Sequence, residues 1–112
     1  MPRAASGRRY AQAVFELALE NRELEKWFDD LTLLSDSVSN QEFLDFLSQP
    51  RVTSEEKIRV VRDALGDSVG PLALNLMSLL ATKNIAHILP GITDQYQELL
   101  DAQQGIERAE SV

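Results

Sequence analysis

Hydrophobic positions along this chain recur at alternating steps of three and four, the spacing of an amphipathic helix rather than of a strand. The pattern is clearest between Leu24 and Val38, where Leu24, Trp27, Phe28, Leu31, Leu34 and Val38 share one side. Asp29, Asp30 and Asp36 are expected on the wet side of that helix. Gly and Pro divide the rest of the chain into further segments. The first runs from about Arg9 to Asn21. Ser39 and Glu42 have the spacing of a capping box, opening a short third helix with Phe43, Phe46 and Leu47 inward, and Pro50 stops it. Thr53 and Glu56 repeat that spacing before a fourth helix that buries Ile58, Val61 and Leu65, with Gly66 placed to end it. The fifth segment starts at Pro71, tolerated in a first helical turn, and reaches Lys83, where Asn84 suits a left-handed closing position. The sixth, from about Ala86 to Gln104, carries Ile88, Leu89, Ile92, Tyr96, Leu99 and Leu100 on one stripe, and Gly105 is its expected stop.

Six helices with short connections predict an all-α fold, a six-helix bundle. Beyond Gly105 the residues Ile106, Glu107, Arg108, Ala109 and Glu110 alternate apolar and polar, which reads as the opening of a strand. The expected organisation is therefore one helical domain over residues 1–105. Residues 106–112 would then be the start of a second domain or a disordered tail.

Composition narrows the function classes. The chain has 112 residues, enough for one compact domain, with 44% hydrophobic and 26% charged residues. Its formal net charge of −7 counts against nucleic acid and against direct contact with anionic lipid, both of which select basic surfaces. There is no cysteine, which excludes disulfides, thiolate metal sites and cysteine nucleophiles. The segment from Met1 to Arg9 carries Arg3, Arg8 and Arg9 but no apolar stretch, unlike a secretory signal.

Little in the sequence suggests catalysis. His87 is the only histidine, and a helix-terminal or surface role fits it better than a catalytic one. One histidine is also a poor start for a metal site, and no cofactor is expected. Asp29 with Asp30, and Asp94 with Glu98, are carboxylate pairs that fit a solvated helix face. Arg51, Lys57, Arg59 and Arg62 form a small basic cluster beside Glu55, Glu56 and Asp63, a weak signal for nucleic acid.

The informative feature is an excess of apolar surface on two helices. On the first, Tyr10, Ala11, Ala13, Val14, Phe15, Leu17, Ala18 and Leu19 fan across roughly 240° of the circumference, where a core-facing helix needs a stripe a little over ~100° wide. On the fifth, Leu72, Ala73, Leu74, Leu76, Met77, Leu79, Leu80 and Ala81 span roughly 220°. Two explanations stand. Either both helices are enclosed at the centre of the bundle, or each divides its apolar arc between the core and an external groove for an amphipathic partner helix. The strips that compete for the outer face are Tyr10, Ala13, Val14 and Leu17 against Ala11, Phe15, Ala18 and Leu19 on the first helix. On the fifth they are Leu72, Leu76, Leu79 and Lys83 against Ala73, Met77, Leu80 and Ala81.

The stretch Arg9-Tyr10-Ala11-Gln12-Ala13-Val14-Phe15-Glu16-Leu17-Ala18 resembles the opening motif of the delta subunit of bacterial F-type ATP synthases, the family that includes the mitochondrial oligomycin-sensitivity-conferring protein. Glu25-Lys26-Trp27, Leu89-Pro90 and Gly105-Ile106-Glu107-Arg108-Ala109-Glu110 agree with it in order and spacing, so the resemblance spans nearly the whole chain. The resemblance implies a six-helix N-terminal domain at the top of the catalytic head, as a non-catalytic part of the peripheral stalk on the cytoplasmic face of the membrane. It implies that a groove between the first and fifth helices holds the N-terminal helix of an alpha subunit. Tyr10, Ala13, Val14, Leu17, Leu72, Leu76, Leu79 and Lys83 are the residues expected there, with Trp27 on the neighbouring second helix. It implies further that a C-terminal domain reaches the b subunits of the stalk. Ile85 stands where the family often has arginine, and Ala109-Glu110-Ser111-Val112 departs from the expected join. Two rivals use the same helices: a free-standing adaptor for some other amphipathic helix, and a helical RNA-binding module, which the net charge disfavours. An enzyme ranks behind both.

Overall fold

The computed structural model describes the backbone of residues 2–109 and the side chains of residues 7–105. Within them the chain forms α1 (Pro2–Asn21), α2 (Leu24–Ser39), α3 (Gln41–Ser48), α4 (Ser54–Leu65), α5 (Pro71–Thr82) and α6 (Leu89–Ala109), with a 3-10 turn at Ala86–Ile88. No strand occurs among the described residues. The fold is the all-α six-helix bundle that the periodicity predicts.

Local chemistry sets most of the boundaries. Thr53 caps α4 through its hydroxyl, which accepts from the Glu56 N–H at 3.2 Å. α5 begins at Pro71 and closes on Asn84, whose φ of 61° places it in the left-handed region. The Asn84 N–H donates to the Ala81 carbonyl at 3.1 Å and the Ile85 N–H to the Leu80 carbonyl at 2.9 Å, the paired closure of a Schellman motif.

Several sequence expectations are corrected. The cap of α3 is Asn40, whose side chain accepts from the Phe43 N–H at 3.1 Å, while the Ser39 hydroxyl turns back onto the Asp36 carbonyl. Asn and Ser are near-equal as caps, so spacing alone did not choose between neighbours. Gly66 ends α4 as expected, with a right-handed φ of −57°. α1 starts at Pro2 instead of Arg9, and the first residues of the sixth segment form the 3-10 turn. The expected stop at Gly105 and the strand after it are also overturned, because α6 runs on to Ala109. Gly105 is exposed and nothing lies within 4 Å of where a Cβ would sit, so its helical cost is only the ~1 kcal/mol of backbone entropy. Glu110, Ser111 and Val112 lie outside the described residues.

α1 and α2 pack against α6, while α4 packs against α5. α2 bridges the two groups, touching α1, α3, α5 and α6. The core runs through Ala11, Val14 and Ala18 of α1, Leu31 and Leu34 of α2, Val61 of α4, Met77 and Leu80 of α5, and Leu89, Ile92 and Tyr96 of α6. Between α2 and α6 the Ser35 and Thr93 hydroxyls lie 2.5 Å apart, and Thr93 also donates to the Leu31 and Leu89 carbonyls.

Tyr96 joins three helices at one point. Its ring meets Phe15 edge-on with centroids 5.8 Å apart, lies near-parallel to Phe28 at 6.5 Å, and its hydroxyl donates to the Leu24 carbonyl at 2.6 Å. Burial penalises the phenolate and pushes the Tyr96 pKa from 10.0 up to about 12. The folded domain therefore keeps a proton that the unfolded chain releases between those values, so stability is retained below pH 10 and falls as pH rises toward 12. Tyr96→Phe is expected to flatten that alkaline decline and to cost about 1 kcal/mol at neutral pH through the lost hydrogen bond. Urea unfolding at pH 7 and pH 11 checks both.

Candidate functional site

Neither α1 nor α5 is enclosed. Burial across α1 changes in step with the ~100° turn per residue: Ala13 is exposed, Leu17 and Tyr10 are half-buried, and Val14 is in the core at 6% exposure. The two strips expected on α1 are therefore not separate in the fold. Core contact is made by Ala11, Val14 and Ala18 together, and Leu19 of the supposed inner strip is exposed.

On α5 the division is cleaner. Ala73, Met77, Leu80 and Ala81 are buried, whereas Leu72 and Leu79 are 43% and 42% exposed. Leu76 between them is half-buried and Lys83 is exposed. Positions 72, 76, 79 and 83 recur near one angle of the helix, so the three leucines form one apolar ridge with a lysine at its C-terminal end. Large apolar side chains held this open on a helix are the kind of surface that marks a docking site.

Both helices flank the same parts of the fold, since α1 and α5 each touch α2 and the 3-10 turn. Beside the N-terminal end of α5 lies a cleft of about 200 Å³ lined by Glu23, Lys26, Trp27, Asp30, Gly70, Pro71, Leu72 and Ala73. Trp27 is buried in its wall and Leu72 forms its rim. Thus the structure brings Leu72, Leu76, Leu79 and Lys83 into one ridge and aligns Tyr10, Ala13 and Leu17 along α1, with Val14 turned to the core.

Two charged residues occupy places that the polar pattern did not suggest. Asp30, expected on the wet side of α2, is 8% exposed; its carboxylate accepts from the Gly70 N–H at 3.2 Å and from Lys26 Nζ at 3.4 Å. Lys57, counted with the exposed basic cluster, is 3% exposed and donates from Nζ to Asn84 Oδ1 at 2.5 Å. Helical phase was the overlooked signal. Asp30 lies three residues after Trp27 and four before Leu34, and Lys57 four before Val61, so both sit on the inward stripes of their helices. His87 is exposed on the 3-10 turn. Among the described residues no three His, Asp or Glu side chains gather as a metal site, and no helix is long and apolar enough to cross a membrane.

The arrangement thus offers apolar contact area on α1 and α5. Comparison with known proteins agrees with the architecture. Residues 7–111 match the family model of the ATP synthase delta (OSCP) subunit. The chain belongs to that family. It is 37% identical over 101 residues to the ATP synthase subunit delta of Dehalococcoides mccartyi, covering 90% of this chain and 55% of that relative. The corresponding protein of Salinibacter ruber is 38% identical over 104 residues, covering 92% and 55%. A chloroplastic ATP synthase subunit delta from Ochrosphaera neapolitana is 34% identical over 101 residues, covering 89% and 56%. The chain spans little more than half the length of these relatives. The matched region takes in all six helices except the first residues of α1.

Proposed function

We propose that this chain is a non-catalytic stator part of an F-type ATP synthase whose α1–α5 face binds the amphipathic N-terminal helix of an alpha subunit. In that role it links the catalytic head to the peripheral stalk, so that the head does not turn with the rotor during proton-driven ATP synthesis. Residues 1–105 would form the head-binding domain. Residues 106–112 would lead toward a C-terminal domain that engages the b subunits, at the cytoplasmic face of the membrane.

The observation that carries this reading is the ridge of exposed Leu72 and Leu79 with half-buried Leu76 between them, on a chain of the delta family. Tyr10, Ala13 and Leu17 would supply the α1 side of this face, with small Ala13 permitting close approach and Val14 behind them in the core. Lys83 at the end of the ridge suits the acidic or C-terminal end of a docked helix, because the C-terminal end of a helix carries partial negative charge. The net charge of −7 favours a partner helix with basic residues on its polar side. Affinity in such a contact comes from a few desolvated apolar anchors rather than from total area.

Calorimetric titration with a synthetic peptide of the alpha-subunit N-terminus is the direct test. Saturable one-to-one binding with Kd at or below about 10 μM is expected. An absence of heat and of any Trp27 fluorescence change at several times that concentration overturns the reading.

A further inference from the structure

α5 carries the exposed ridge, and although backbone bonds of the Schellman turn close its C-terminal end, its own residues put no side-chain cap on its N-terminal end. Its N-cap is Gly70, which has no side chain to accept from the first-turn N–H groups, and no acidic residue lies in its first turn or basic residue in its last. The inward face offers little grip at the ends either, since its first and last core residues are Ala73 and Ala81. Small side chains there oppose rotation and sliding less than large ones would, and the hydrophobic driving force itself is non-directional.

Other helices supply what is lacking. Asp30 on α2 and Lys57 on α4 are the two charged side chains buried among the described residues, and each reaches one end of α5. The Asp30 carboxylate accepts from the Gly70 N–H at the N-terminal end. The Lys57 ammonium donates to Asn84 Oδ1 in the Schellman turn at the C-terminal end. An anion at the N-terminus and a cation at the C-terminus also match the helix dipole. Buried charges are costly unless each is hydrogen-bonded, so these contacts are fixed in direction and length.

We infer that Asp30 and Lys57 are positioning residues for the docking face, holding the two ends of α5 so that Leu72, Leu76 and Leu79 are presented at one depth and one rotation. This rests on the reading of that face as the site of an alpha-subunit helix. Leu72 follows Gly70 by two residues and Leu79 precedes Asn84 by five, so both anchors of the ridge lie within about one and a half turns of a clamped end.

The test uses the full chain with Asp30→Ala, Asp30→Asn, Lys57→Met and Asn84→Gly, at a temperature where circular dichroism shows every variant folded. Asn84→Gly keeps the left-handed turn while removing the acceptor, so it reports on the clamp even if Lys57→Met proves poorly folded. Tyr96→Phe serves as a control that weakens the domain away from α5. Expected are a tenfold or larger gain in amide exchange over Leu72–Leu80 in Asp30→Ala, Lys57→Met and Asn84→Gly, with α1 and α6 amides unchanged. The Kd for the alpha-subunit peptide should rise about tenfold in the same variants. Asp30→Asn retains an acceptor for Gly70 and should recover most of both losses, and Tyr96→Phe should leave the affinity unchanged. Exchange that rises evenly over all helices, or an affinity that is unmoved while α5 loosens, overturns the positioning role. Failure of the peptide to bind the wild-type chain overturns the docking reading instead, and the exchange data separate the two failures.

Discussion

Ala13→Asp is expected to weaken binding of the alpha-subunit peptide by at least about a hundredfold, near 3 kcal/mol, while the free domain stays folded. Ala13 is exposed, so a carboxylate there remains hydrated in the free protein. The substitution then costs the domain little more than helix propensity, about 0.7 kcal/mol. Under a docked helix the same carboxylate is stripped of water without a partner, and that penalty appears wholly in binding. Charge alone works in the opposite direction, because a more acidic domain attracts a basic peptide more strongly. Leu79→Asp should act likewise from the α5 side, since Leu79 is as open to solvent as Leu72. Val14→Asp is the contrast: its neighbour in sequence is in the core, and an unpaired charge there should unfold the domain. Calorimetry with circular dichroism on all three distinguishes the outcomes. Unchanged affinity in Ala13→Asp and Leu79→Asp removes α1 and α5 as the docking face. An unfolded Ala13→Asp makes Ala13 a core residue.

The pair Ala13 and Val14 also shows how far the sequence could be read. Periodicity revealed that α1 and α5 carry more apolar arc than a core needs, because the excess is a property of each helix alone. It did not tell which residues face out. That depends on where α6 lies against α1 and where α4 lies against α5, contacts between helices that the periodicity of one helix does not contain. The strips are separated by a similar angle on both helices, yet on α5 they divide cleanly into buried and open sides, whereas on α1 exposure grades through Ala13, Leu17, Tyr10 and Val14. Asp30 and Lys57 were misplaced for a related reason. A charged residue on an inward stripe reads as a flaw in the pattern until its acceptor or donor is known, and Gly70 and Asn84 lie 40 and 27 residues away. The tail beyond Gly105 misled because a short alternating stretch also fits a helix edge, and the described backbone extends α6 through the first four of those residues, to Ala109.

Leu31→Ala is expected to destabilise the domain by about 2–5 kcal/mol, the range for emptying a leucine site in a packed core. Leu31 is fully buried on α2, the helix that touches α1, α3, α5 and α6, so no neighbouring segment can close the cavity without disturbing another seam. Its backbone carbonyl also accepts from Thr93, which limits how far α2 can shift toward α6. A domain of 112 residues has a total stability of roughly 5–15 kcal/mol, so this one truncation removes a large fraction of it. A fall in Tm on the order of 10–15 °C should follow. Because α2 holds α6 on one side and the Asp30 clamp on the other, loss should be cooperative, with tryptophan fluorescence and helical dichroism falling together. The docking face should behave differently from the core in one respect. At a temperature where Leu31→Ala is still folded, its affinity for the alpha-subunit peptide should match wild type, because Leu72, Leu76 and Leu79 depend on the ends of α5 rather than on the α2 core. A fluorescence transition that precedes the loss of helix would show that α2 and its Trp27 separate from the bundle first. A weakened affinity in the folded variant would place the control of the ridge in the core rather than in the two buried charges.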